Sequence, residues 1–359
     1  MAYTAIDDPS AYFKVQLYTG DGSVDHAITF DDTDTDMQPD MIWIKSRSAA
    51  ENHYIADSVR GDSGAASGYY RLNPNTNAAE YGGAGNEYVG AIGSDGFTVG
   101  SNDQVNTNTE TYVSWNWKGG TTSGIATDGN ETLTIGGYSF NQTSGFSIIK
   151  YTGTTGTTDK FSHGLGVVPQ MIIIKSLAGA TDWLVYHHQN TAAPETEWLL
   201  LNGTDATSDD ATMWYDTAPT AYNVTLGTGS QGNAASSYIA YCFAEKQGYS
   251  KFGTYEGNGN ADGTFVYTGF RPAFVMTKSI DSTSSWHMFD NKREGYNVDN
   301  DALVTEDTTV EATTDMIDLL SNGFKCRITT DPNVAETYIY MAFAEAPFVN
   351  SNGVPCNAR

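Results

Sequence analysis

Apolar and polar residues alternate over short stretches of this chain, and glycine, asparagine and aspartate interrupt them repeatedly. In MIWIK the alternation puts Ile42 and Ile44 on one face and Trp43 and Lys45 on the other, the period of a β-strand. Comparable stretches run from Pro39 to Lys45 (PDMIWIK), Pro169 to Lys175 (PQMIIIK) and Pro272 to Lys278 (PAFVMTK). A second set mixes aromatic and small residues: YVSWNWK from Tyr112, YIAYCFAEK from Tyr238 and YIYMAFAEA from Tyr338. Turn signals such as Asp21-Gly22, Asp95-Gly96 and the run Gly82 to Gly85 lie between strands. Short alternating strands with frequent turns predict an all-β protein of sandwich or barrel type. One segment departs from this: Ala312 to Phe324 spaces Met316, Ile317, Leu319 and Leu320 as a helix would and stops at Asn322-Gly323, predicting a turn or two of helix.

The stretches recur in register. A Tyr-x-Gly opening at Tyr18, Tyr151 and Tyr255 precedes each proline-led strand, proline and lysine stand six residues apart in every copy, and His53, Trp183 or Trp286 follows eight residues after the lysine. The repeat is a unit of roughly 100 residues, the size of a domain, so each copy is expected to hold its own core. The expected architecture is three tandem β-sandwich modules of the jelly-roll or concanavalin-like kind. Module one spans residues 1–118 with an N-terminal arm, module two 144–246 and module three 247–346. Residues 119–143, rich in Gly, Thr and Asn, read as a linker, with a small hairpin at Gly136-Gly137. Residues 347–359 read as a tail that extends along a neighbour or stays mobile.

Composition narrows the partners. The 18 Lys and Arg against 43 Asp and Glu leave a net charge of −25, which disfavours nucleic acid and anionic membrane surfaces. Cys242, Cys326 and Cys356 are odd in number and unlike in setting, so no disulfide framework or Cys-x-x-Cys metal site follows. The first residues lack the basic start and apolar run of a secretory signal, and no stretch of about 18 apolar residues is present.

Candidate chemistry is sparse. Asp57 and Arg60 in module one are answered by Asp290 and Arg293 in module three, a spacing that suits a structural ion pair across a turn, since no second carboxylate or nucleophile recurs beside it. Module two carries His187 and His188 there, adjacent residues that a strand turns to opposite faces; with His163 they make only a remote zinc candidate. Asp32, Asp34 and Asp36 alternate like the start of a calcium loop, but Met37 stands where the EF-hand glycine belongs. Lys45, Lys175 and Lys278 are expected to blunt strand edges or to snorkel into water. Trp115, Trp117, Trp183, Trp198, Trp214 and Trp286 could stack on sugars, though core packing is the first expectation. There is no Gly-x-Ser-x-Gly, P-loop or dinucleotide fingerprint, and no cofactor is expected.

The blocks AYTAIDDPSAYFKVQLYTGDG, PDMIWIKSRS, DSVRG and GSDGFTVGSNDQVNTNTETYVSWNWKGG of module one, and the closing AFAEAPF, resemble a domain of uncharacterised function in virion proteins of tailed phages, many from aquatic hosts. Modules two and three resemble diverged copies. The resemblance implies a non-enzymatic structural component of a phage particle, often labelled a tail fibre or host-recognition protein, made in the host cytoplasm and released by lysis. Its partners would be other virion proteins, copies of itself and cell-surface glycan. A capsid decoration protein and a polysaccharide depolymerase are the alternatives.

Overall fold

The computed structural model describes residues 3–30, 35–61, 68–82, 87–293, 297 and 301–356. Strands dominate, and helix is confined to single turns. Module one contributes β1 (Phe13–Thr19), β2 (His26–Thr29), β3 (Met41–Ser46), β4 (Tyr54–Asp57), β5 (Val89–Gly93), β6 (Gly96–Val99) and β7 (Thr111–Trp117). Next come β8 (Thr134–Asn141), β9 (Phe146–Thr152), β10 (Asp159–Ser162), β11 (Met171–Ser176) and β12 (Leu184–His187). Module two continues through β13 (Glu197–Leu200), β14 (Ser208–Asp209), β15 (Asn223–Leu226) and β16 (Ser237–Phe243). Module three holds β17 (Ser250–Glu256), β18 (Phe265–Tyr267), β19 (Phe270–Ser279), β20 (His287–Asp290), β21 (Leu303–Val304), β22 (Ile317–Leu320), β23 (Gly323–Cys326) and β24 (Thr337–Pro347).

Each group forms one larger and one smaller sheet. The larger ones run β1-β7-β3-β4, β14-β13-β12-β11-β16-β9-β8 and β17-β24-β19-β20-β21. Without the added edge strands a single order remains: opening strand, closing strand, proline-to-lysine strand, then the strand after it. Register repeats too, with Trp43 opposite Trp115, Ile173 opposite Tyr241 and Met276 opposite Met341.

The proline-to-lysine strands are apolar at consecutive positions, which buries both of their faces. Ile42 and Ile44 turn outward onto the small sheet β2-β6-β5 and pack with Ile28, Val89 and Phe97. Met41 and Trp43 turn the other way, into a cluster that also contains Met171, Ile173, Phe274 and Met276. Each copy holds a core of its own, as expected, but these cores are not the whole of the interior. The largest core lies between the three large sheets and belongs to all of them.

At its centre Trp117, Phe243 and Phe343, which hold the same register position in β7, β16 and β24, form a triangle. Their ring centroids are 6.2, 5.6 and 6.1 Å apart. The three modules thus surround one pseudo-threefold axis.

Tyr-x-Gly has a local cause. Tyr18 stacks on Tyr112, Tyr151 on Tyr238 and Tyr255 on Tyr338, at 5.1, 5.3 and 5.1 Å. The glycine two residues on lies against a backbone carbonyl: a Cβ on Gly20, Gly153 or Gly257 would sit 2.1, 2.3 or 1.9 Å from the oxygen of Thr107, Ala234 or Val334. That carbonyl follows a buried asparagine, Asn106, Asn233 or Asn333, whose amide is spent on the turn after the glycine.

Three local expectations are corrected. The segment expected as helix is the hairpin β22–β23, because Ile317 and Leu319 are drawn to one face of the small sheet while Ser321 and Asn322 make the turn and Gly323 opens the second strand. The expected linker contains β8, a single strand along β9; Gly136-Gly137 marks a bulge in it rather than a hairpin turn. The tail folds back, with Phe348 N bonded to Gly269 O and Ser351 N to Asp7 Oδ1. The N-terminal lead docks on the same chain: Tyr3 donates to Gly269 O at 2.8 Å, and Ile6 enters the shared core.

Candidate functional site

The recurrent polar residues meet at the seams between modules. His53 of module one bonds Val304 O of module three at 2.9 Å. Trp183 of module two donates to Asn73 O and Thr76 O of module one at 3.2 and 3.0 Å, and Trp286 of module three donates to Leu200 O of module two at 2.8 Å. The same element reaches the next module three times and the ring closes, as head-to-tail contacts do in a cyclic trimer. Trp43 Nε1–H donates to His53 Nδ1, which leaves the imidazole proton on Nε2 for Val304. Burial pushes the His53 pKa down to about 3, so the ring is neutral.

The Asp–Arg pairs sit at the same seams. Asp57 receives Arg60 Nε and, from module two, the Tyr241 hydroxyl at 2.7 Å. Asp290 receives Arg293 Nε at 2.7 Å and, from module one, Trp115 Nε1 at 3.1 Å. All four charged side chains are buried. His187 takes the place of the aspartate in module two, where the facing residue of module three is Met341, which has no proton to donate. Gln189 N bonds His187 Nδ1, and His187 Nε2 instead meets the backbone oxygen of Tyr340 at 3.2 Å.

Lys45, Lys175 and Lys278 correct the expectation that placed them at edges or in water. Each strand is flanked on both sides, and each lysine is buried, donating to the carbonyl of Ser46, Ser176 or Ser279 at 2.7, 2.8 or 2.6 Å. Burial lowers each from the ordinary lysine value to about 8, against the pull of carboxylates such as Glu51, Asp182 and Glu306. Pro39, Pro169 and Pro272 are buried at the heads of the same strands, Pro272 at a bulge where its missing N–H is tolerated.

The other sequence candidates stay apart. Asp32 and Asp34 lie outside the described residues and Asp36 is exposed; no cluster of metal-ligating side chains occurs among the described residues. His187 and His188 direct their Nε2 atoms to different carbonyls, of Tyr340 and Phe252, and His163 bonds Thr220 O at 3.1 Å. Trp115, Trp117, Trp183, Trp214 and Trp286 are core residues, and Trp198 packs at its margin.

Open space remains at the rim of two seams. Between modules three and one, a cleft of about 320 Å³ is lined by Phe13 to Gln16 of β1 and by Ala273, Asn291, Lys292 and Glu345. Between modules two and three, one of about 500 Å³ is lined by Lys251 to Thr254 of β17 with Gln170, His188, Gln189 and Glu245. Their walls correspond, since Asn291 N bonds Ala273 O and His188 N bonds Gln170 O, as Ser58 N bonds Asp40 O in module one. At that third seam β8 fills the groove. Asp40, whose pKa burial pushes up against the pull of its hydrogen bonds, accepts from Ser58 Oγ, Ser139 Oγ and Gly119 N at 2.6, 3.0 and 2.9 Å.

What these elements define is an all-β protein in which three related units share a core, and in which the recurring charged and aromatic residues hold the units together. The chain belongs to the family described as a domain of unknown function, DUF7483, whose model matches residues 8–347. That one match crosses all three units. No curated protein and no solved structure matches the chain.

Sequence reading missed the buried asparagines and the tyrosine and tryptophan donors of the seams. The asparagines had a signal: each precedes the tyrosine of the closing strand by five or six residues. The Trp115 and Tyr241 donors had none, because their partners lie over a hundred residues away.

Proposed function

We propose that this protein is a non-enzymatic structural component of a tailed-phage virion, exposed on the particle as part of a tail fibre or host-recognition apparatus. Each module is read as a small sandwich of the jelly-roll or concanavalin-like kind. The observation that carries the reading is the use made of the repeated residues: the Asp–Arg pairs and the tryptophans bond across the seams and the lysines bond within their own strands, which is what a rigid building block requires and a catalytic centre does not. The resemblance of the module-one blocks supplies the virion. Exposed aromatic residues such as Phe265 and Tyr267 on β18 are available to glycan.

A capsid decoration protein is the second reading. It is favoured by the pseudo-threefold axis, which would let one chain sit over a threefold position of a shell. Immunogold labelling of intact particles separates the two: label on the tail supports the first, label on the head supports the second, and absence from purified particles overturns both. A depolymerase would release reducing sugar from host envelope material, and the proposal expects none.

A further inference from the structure

We propose that the edge of β1 turned away from β7, at the seam between modules three and one, takes up an extended strand of a second polypeptide, as β9 takes up β8. The inference stands independently of the virion reading.

The filled seam supplies the template. Asn141, Ser139, Gly137 and Thr134 of β8 pair antiparallel with Phe146, Ile148, Lys150 and Thr152 of β9. The strand is small where the neighbouring module comes close: a Cβ on Gly137 would meet Val59 Cγ1 at 3.4 Å. Its Ser139 hydroxyl donates across the groove to Asp40. One strand therefore satisfies the edge of one module and a polar group of the next.

At the seam between modules three and one the corresponding groups have no such strand among the described residues. Lys118 N donates to Tyr12 O and Gly20 N to Glu110 O, so the even-numbered residues of β1 face β7, and Phe13, Val15, Leu17 and Thr19 direct their N–H and C=O groups outward. Gln16 Nε2 takes the Leu17 carbonyl at 2.8 Å. The outward groups of Phe13 and Val15 have no hydrogen-bond partner among the described residues, and both residues line the cleft. Across from them Asn291, which stands where Ser58 stands in the filled seam, has a buried Oδ1 with no hydrogen-bond partner. An unmet edge and an unmet acceptor face each other across a groove that, one module away, accommodates a strand; main-chain pairing of this kind is a common mode of peptide recognition.

The corresponding edge in module three is closed. Glu245 Oε2 accepts from Phe252 N at 3.4 Å and His188 Nε2 meets Phe252 O at 3.1 Å, so side chains already occupy the edge. The expected partner is thus an extended segment, small at alternate positions, with a hydroxyl or amide donor aimed at Asn291, bound to β1 alone.

A fluorescein-labelled peptide of the β8 sequence, TIGGYSFN, titrated into the intact protein provides the test. Saturable binding is expected, with slowed amide exchange at Phe13 and Val15 and unchanged exchange in β9. Val15→Pro removes an outward N–H and leaves the ladder with β7 intact, as proline on an edge can; it should weaken binding at least tenfold, and Asn291→Leu severalfold. Exchange in the unaltered protein decides the matter even where a variant folds poorly. Absence of saturable binding, affinity unchanged in both variants, or protection at β9 instead of β1 overturns the proposal.

Discussion

Trp117→Ala tests whether the three modules are one folding unit. Trp117 is fully buried, forms the pseudo-threefold triangle with Phe243 and Phe343, and also meets Phe13 at 4.9 Å and Phe274 at 6.0 Å. Truncating a tryptophan so placed costs about 3–5 kcal/mol, because its contacts come from three modules that cannot all collapse into the gap. The consequence depends on what melts. At about 2.1 cal/mol/K per residue, the 359-residue chain unfolding as one unit gains roughly 0.75 kcal/mol/K, so about 4 kcal/mol lowers Tm by about 5 °C. A module of roughly 100 residues melting alone would fall by about 20 °C while the others stayed put. Differential scanning calorimetry reads the difference directly. A single endotherm shifted as a whole supports the shared core; resolved transitions of which only one moves would refute it.

Other outcomes follow from the seams and turns. Tyr241→Phe should cost about 1.5–3 kcal/mol in urea denaturation, since it removes a hydrogen bond to the buried, charged Asp57. Gly153→Ala should destabilise by more than Gly129→Ala: the first drives a Cβ to 2.3 Å from Ala234 O, whereas the second meets nothing within 4 Å and bears only the strain of its φ of +81°. In acid, His53 and His187 stay neutral in the fold, with pKa values lowered to about 3, while the unfolded chain binds protons near the usual 6.5. The unfolded state then holds more protons between about pH 3 and 6.5, so stability falls as pH drops through 6.5, by about 2 kcal/mol per histidine from pH 7 to 5. Above neutrality the buried lysines act in the opposite region. Their folded pKa of about 8 lies below the ordinary value, so stability should rise from about pH 8 towards 10. Thermal melts across pH check both limbs, and a flat profile between pH 7 and 5 would refute the neutral histidines.

Much of the β architecture was legible because it is written locally. Ile42 and Ile44 on one face and Trp43 on the other do announce a strand. That both faces of MIWI and MIII are buried was not read from their consecutive apolar residues, because the partner of the inner face is the same strand of two other modules. Lys45 misled for a related reason. Lysine is read as a surface residue, yet here the carbonyl of the very next residue accepts its proton, a short-range arrangement that sequence spacing does not reveal. Ala312 to Phe324 misled because apolar spacing over so few residues fits helix and strand alike, and the neighbouring strand β23 decides between them. The clefts were illegible altogether, being made of residues brought together from different modules.

The loss of the Asp–Arg pair from module two then has a physical account. An aspartate buried at a seam needs donors from both sides, its own arginine and a side chain of the facing module. Module two faces Met341, so an aspartate at position 187 would lack the donor that Tyr241 gives Asp57 and Trp115 gives Asp290. A neutral histidine meets the seam differently, donating Nε2–H to the Tyr340 carbonyl, which needs no side-chain partner. Because all three seams lie within one chain, each can adopt its own pairing without disturbing the other two, a freedom denied to three identical subunits. The same freedom lets β8 close one groove and Glu245 and His188 close a second, while the β1 edge has no paired strand among the described residues. Restoring the donor tests this: Met341→Tyr combined with His187→Asp should be less destabilising than His187→Asp alone, by a coupling of about 1–3 kcal/mol. Simple additivity of the two changes would mean that the facing residue does not govern which side chain the seam accepts.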